Sequence, residues 1–270
     1  MRSDNSLAAR LSDGTNTHTP GTPYGFGMPH DQTRPRPHSE GARFLQESFA
    51  ELVAEHGVPG ASIAVLAGEQ VITAAAGVTS LATGVEVDTE TVFQIGSVTK
   101  IWTTTLVMQL VDEGLLDLDR PVRDYLPELV IGDRAAGEAI TTRQLLSHTA
   151  GFEGDIFTDT GRGEDAVERY VASLTDLPQL FAPGETFSYN NTGFVVLGRL
   201  VEVLRDQPYD QVLLDRIARP LGLTSVSPSP YEAILHRAAT GHMPTRTAPR
   251  RRRRPGHWPA PTRRPARCSR

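Results

Sequence analysis

Residues 101–111, IWTTTLVMQLV, carry no charge in a chain of which 22% of residues are charged, and the run stops at Asp112, Glu113 and Gly114. It is too short for the roughly 18 apolar residues that cross a membrane. Its composition predicts instead a helix buried nearly all round. Such a helix needs covering layers, and 270 residues suffice to build them in one large domain or two small lobes. At the head of the segment stands Lys100, the only lysine beside 26 arginines.

An ammonium group taken out of water is costly unless it is paired or has its pKa lowered, so a lysine at that position asks for a partner. Three residues earlier is Ser97, preceded by Gly96, and residues three apart share a helix face. A serine hydroxyl one turn from an amine is a nucleophile beside its base. The unpaired N–H groups and partial positive charge of a helix start also suit an oxyanion forming there. The tetrapeptide has an equally simple structural reading, with Ser97 as a helix cap and Lys100 snorkelling to solvent. A second signal lies 92 residues further on, in FAPGETFSYNNTGFVVLGRLVEVL, where Tyr189-x-Asn191 follows a Pro-Gly turn and precedes an apolar helix.

The rest of the chain divides by composition. Residues 1–40 are rich in Pro, Gly, Thr and His without apolar periodicity, and read as a disordered arm. ARFLQESFAELVAEHG predicts a helix, with Phe44, Leu45, Phe49, Leu52 and Val53 at helical spacing and Gly57 at its stop. ASIAVLA and QVITAAA predict a β-hairpin about a Gly-Glu turn. TTRQLLSHTAG reads as a short capped helix, and GEDAVERYVASL, TGFVVLGRLVEVL and YDQVLLDRIARPLGL as further helices. Residues 244–270 contain ten arginines and no acidic residue, so the formal charge of −5 on the whole chain becomes −15 without them.

With these fragments in place the sequence resembles the serine β-lactamase-like family of class C β-lactamases, D-amino-acid peptidases and carboxylesterases. VPGASIAVL, FQIGSVTK, LVDEGLLDLDRPVRDYLPEL, ITTRQLLSHTAGF, PGETFSYNNTGFVVLGRLVE and RPLGLTSV follow one another in the family's order. The resemblance implies an α+β fold in which a helical lobe stands beside an antiparallel sheet flanked by helices. It implies Ser97 as the acylated nucleophile and Lys100 as general base or network partner. Tyr189 would exchange protons with the nucleophile, leaving group or deacylating water, and Asn191 would orient Lys100 and contact substrate. A lysine near pKa 10.4 is a poor base at neutral pH until its surroundings lower it, and a tyrosine beside a cation also loses its proton more readily. The residues leave open which of the two is the base, and the pair is expected to titrate as a unit.

The chain departs from the family late. The third motif, a Lys or His followed by Ser or Thr and Gly on a strand edging the site, is not found. SHTAG lies before Tyr189 and has an extra alanine. The expectation is therefore an incomplete domain over residues 41–243 that lacks the C-terminal sheet strands and is weak or inactive, followed by a disordered Arg/Pro-rich tail over 244–270. Such a tail fits GC-rich coding sequence read out of frame better than a selected nucleic-acid arm. Five consecutive arginines could bind phosphates, but Trp258 is nearly alone as a stacking partner. The competing reading is a non-catalytic protein whose tail contacts nucleic acid.

Other chemistries find less support. No Gly-x-Ser-x-Gly elbow occurs, and no His-Glu-x-x-His pair marks a metal site, so neither metal nor cofactor is expected. His148 reads as a packing or capping residue, and Trp102 and Met108 as core. Cys268 alone cannot form an internal disulfide. Without an apolar leader or membrane span, the expected setting is soluble and cytoplasmic. The expected partner is a small-molecule ester or amide; oligomeric state is not legible.

Overall fold

The computed structural model describes residues 38–243. The proposed tail, with Cys268, lies outside the described residues, and so does the proposed arm except for its last three positions. There the first helix, α1 (His38–Glu55), has already begun. It ends where Gly57 adopts a positive φ of 61°, a conformation cheap only without a Cβ. Of the five apolar positions at helical spacing, Val53 is buried, whereas Phe44 and Leu52 are exposed.

β1 (Gly60–Ala67) and β2 (Gln70–Gly77) pair antiparallel, with Gly60 opposite Gly77 and Ala67 opposite Gln70. The Gly68-Glu69 turn expected between them is present. At the open end of the hairpin, a Cβ on Gly60 or Gly77 would collide with the backbone of Val78 or Pro59. Among the described residues the sheet has these two strands. Residues 237–240 return alongside: Val92 pairs in parallel with Ala238, the Ala239 N–H donates to the Val92 carbonyl at 2.9 Å, and the Thr240 N–H donates to that of Thr79 at 2.9 Å.

The core lies among helices. α2 (Thr99–Asp112) packs Leu106, Val107 and Leu110 toward α6 (Asn191–Arg205), which contributes Val196, Leu197, Leu200 and Val201. α6 also packs against α4 (Thr142–Leu146), α5 (Ala166–Ala172) and α7 (Tyr209–Leu213). α4 is held by a reciprocal cap between Thr141 and Gln144. α3 (Arg134–Ala139), which the apolar pattern does not announce, starts at an Asp133 cap. α7 continues into a wider turn over Leu214–Ala218, and a last short helix, α8, covers Pro230–Ala233.

The expectation that α2 is buried nearly all round needs correction. Ile101, Thr105 and Met108 follow one another at helical spacing on an outward face, and Ile101 is 66% exposed. Burial on every side requires a layer on every side, and the helical elements packed on α2 are α6, α7 and the turn that follows α7. Met108 is accordingly not a core residue. Trp102 is half-buried and packs against the core from its edge.

Candidate active site

The Gly96–Val98 turn leads directly into α2, with Gly96 at a φ of 52°. This turn presents Ser97 one helical step before Lys100. The Lys100 Nζ donates to Ser97 Oγ at 3.4 Å and to Asn191 Oδ1 at 2.7 Å. The first contact is long for a hydrogen bond and the second is short and charge-assisted. Asn191 opens α6, so the lysine bridges the start of one core helix to the start of the other. The Asn191 amide is oriented from behind, because its Nδ2 donates to Asp155 Oδ1 at 2.7 Å.

Several bonds fix where α6 begins. The buried Asn190 caps it, its Oδ1 accepting from the Gly193 N–H at 2.6 Å while its Nδ2 donates to the Phe152 carbonyl at 2.9 Å. The N–H groups of Asn191 and Thr192 both donate to the Gly154 carbonyl at 2.9 Å. Gly154 has no room for a side chain, since a Cβ would lie 2.9 Å from the Asn190 Cα and the Tyr189 carbonyl oxygen. The 152–155 loop and the 189–192 segment are thus locked together, which sets Tyr189 and Asn191 relative to Lys100.

Tyr189 is the fourth member. Lys100 Nζ lies 4.8 Å from its ring centroid and 5.5 Å from that of Phe194. The nearby Lys100 ammonium, and next the Ser97 hydroxyl, hold the Tyr189 phenol below its ordinary pKa of 10.0. Of the four residues singled out in the sequence, Ser97, Lys100 and Asn191 border one opening, and the Tyr189 ring stands beside Lys100. Asp155 and Asn190 are not distinguished by the motifs. Asn190 carries a usable signal, as asparagine directly before an apolar helix is a favoured cap; nothing in the sequence links Asp155 to a residue 36 positions later.

His148 sits behind Tyr189, with ring centroids 4.5 Å apart, and also meets Phe187 and Phe194. Its Nδ1 accepts from the Asn190 N–H at 3.0 Å, and its φ is 58°. The ring packs and positions, as its place at a helix end suggests. Burial, followed by the Lys100 charge, lowers its pKa from 6.5. A histidine with a depressed folded-state pKa contributes stability that is complete above 6.5 and is lost as pH falls from there through the folded value. Thermal unfolding between pH 7.5 and 5 should therefore show a steeper fall in Tm for wild type than for His148→Asn, asparagine being the replacement that tolerates this φ. Parallel curves would remove His148 as the origin of the acid sensitivity.

Among the described residues no group of three or more His, Cys, Asp or Glu is placed to hold a metal ion, and no helix is long and apolar enough to cross a membrane.

A serine, a lysine one turn on and a Tyr-x-Asn pair converging between two core helices define a class of protein, and the chain belongs to the beta-lactamase family, which it matches over residues 45–266. It is 46% identical over 198 residues to penicillin-binding protein 4 of Amycolatopsis lactamdurans, covering 73% of this chain and 52% of that one. Among solved structures, SurE is similar at 38% identity and a TM-score of 0.61, over 69% of this chain and 40% of the other. The D-amino acid amidase of Ochrobactrum anthropi is similar at 25% identity and a TM-score of 0.60, over 77% and 58%. The chain spans about half the length, or less, of the curated relatives it matches. The α+β, β-lactamase-like fold class expected from the sequence is the one these comparisons show.

Proposed function

We propose that the protein is a serine hydrolase whose domain, residues 41–243, forms an acyl-enzyme on Ser97 with an ester, a D-peptide-type amide or a β-lactam. The observation that carries this reading is Lys100 Nζ standing between Ser97 Oγ and Asn191 Oδ1. Tyr189 as phenolate accepts the Ser97 proton while Oγ bonds to the substrate carbonyl carbon. The oxyanion gathers at the start of the Gly96–Val98 turn, where the first N–H groups have no partner within the helix. Collapse of the adduct breaks the carbonyl bond to the leaving oxygen or nitrogen, which takes the proton back from Tyr189. Water then attacks the ester carbon, gives a proton to Tyr189, and releases the acid and the Ser97 hydroxyl. The lowered phenol pKa supports Tyr189 as the base, with Lys100 supplying the charge that lowers it. Asn191 holds Lys100 and faces the substrate. The relatives named for penicillin binding and D-amino acid amide hydrolysis favour amides and β-lactams beside simple esters.

Lack of one oxyanion donor typically costs about 100- to 1000-fold in turnover, and turnover is then a poor readout. Stoichiometric acylation is therefore the proper readout. A fluorophosphonate or penicillin-type probe should add one adduct to the protein at Ser97, located by mass spectrometry of peptides, and Ser97→Ala should abolish it. An adduct that persists in Ser97→Ala refutes the assignment of the nucleophile.

A further inference from the structure

We infer that the cavity opening beside Ser97 between α2, α6 and α7 receives a large apolar substituent of the acyl group, and that Gly198 sets how large it can be. This inference rests on the acylation of Ser97 proposed above. The cavity measures about 400 Å³ and has Ser97, Lys100 and Asn191 at its mouth. A dry apolar cavity of about 150 Å³ is enough for benzene, so this one accommodates an aromatic group or an extended alkyl chain.

Its walls specify the chemistry. Phe157, Val167, Phe194, Val195 and the Tyr209 ring supply its apolar walls. Thr99, Thr103 and Tyr209 also line it, and the last two hydroxyls satisfy each other: the Thr103 hydroxyl donates to the Thr99 carbonyl at 3.3 Å, and its oxygen lies 2.7 Å from the Tyr209 hydroxyl. A polar substituent would give up water without gaining a partner there, whereas an apolar one exchanges water for carbon surface. Phe157, 81% exposed, stands at the rim with its apolar surface still unpaired.

Gly198 is the position at which this space depends on one residue. It is buried in the middle of α6, where glycine weakens a helix. Its φ is ordinary for a helix and its absent Cβ would meet the Tyr209 ring at 3.6 Å, a normal contact. Neither backbone strain nor a clash demands glycine here; what its absent side chain leaves is volume in the cavity.

The test uses the full chain and a series of fluorophosphonates bearing methyl, butyl, octyl or benzyl on phosphorus. Each reacts by forming the Ser97 Oγ–P bond as the P–F bond breaks, with fluoride leaving and the serine proton passing to Tyr189. Because one methylene in a fitted pocket is worth about 10-fold or more, the octyl and benzyl probes should label wild type about 50-fold faster than the methyl probe or better. Gly198→Leu should lower that ratio by about tenfold or more. Val167→Phe, which fills the same space from α5, decides the matter if Gly198→Leu does not fold. Ser97 labelling that is indifferent to the phosphorus substituent in wild type overturns the pocket and leaves the acylation reading intact. Absence of Ser97 labelling by every member overturns the acylation reading and the pocket with it.

Discussion

Methionine at position 100 should slow acylation of Ser97 by about a thousandfold at neutral pH, within the range by which positioned proton-transfer groups accelerate reactions. Methionine keeps much of the length and apolar bulk of the lysine stem and removes the ammonium. Three interactions are lost together: the contact to Ser97 Oγ, the 2.7 Å bond to Asn191 Oδ1, and the charge over the Tyr189 ring. The last of these has a sign that can be measured. The Lys100 ammonium is the largest influence holding the phenol below 10.0, so without it the phenol titrates at higher pH. If phenolate is the base, labelling of wild type rises as pH climbs through the lowered pKa, and in Lys100→Met the same rise is displaced to more alkaline pH. Labelling rates for a short fluorophosphonate, measured from pH 6 to 10.5 in both proteins, check this. A variant with slower labelling but an unmoved pH profile would separate Lys100 from the base, leaving it the role of holding Asn191.

Ser97 and Lys100 are legible in the sequence because their relation is local. Three residues of helix fix the face they share, and the absence of charge over the next eleven makes the lysine conspicuous. Tyr189 and Asn191 are legible for a different reason: the Pro-Gly turn and the apolar run behind them place them at a helix start, which is where side chains can project from one core helix toward another. What brings the two sites together is not local. The Gly154 carbonyl accepting from two α6 N–H groups, Asn190 bonded to Phe152, and Asp155 turning the Asn191 amide all join segments some 36 to 38 residues apart. The outward face of α2 misleads for a related reason. Hydrophobicity records that Ile101 and Met108 suit an apolar neighbour, but the neighbour is a property of another part of the fold, and the described sheet stops at two strands. α3 escapes notice because six residues make too few turns for an apolar period to repeat, and only the Asp133 cap announces it.

Replacing Asn190 by alanine should destabilise the domain by about 2–4 kcal/mol, the combined scale of a lost helix cap and a buried carbonyl left without its donor. The side chain is 2% exposed, so water does not readily take over either bond. Asn190→Asp separates the two parts: the carboxylate still accepts from the Gly193 N–H at the positive end of α6, but it cannot donate to the Phe152 carbonyl and places a charge in a buried site. Serine can cap but is too short to span both partners, so Asn190→Ser should recover about 1 kcal/mol relative to alanine. The functional consequence follows from the neighbours. Asn190 lies between Tyr189 and Asn191 in the chain, and its own N–H donates to His148 Nδ1. Loosening the start of α6 therefore releases both residues that face Lys100, and Ser97 labelling should fall in Asn190→Ala even at temperatures where the variant stays folded. Urea unfolding together with labelling rates tests both halves. Wild-type labelling in a destabilised Asn190→Ala would mean that the clamp at Gly154 alone holds the site, and a change in unfolding free energy below about 0.5 kcal/mol, the scale of ordinary surface substitutions, would mean that neither side-chain bond contributes to the cap.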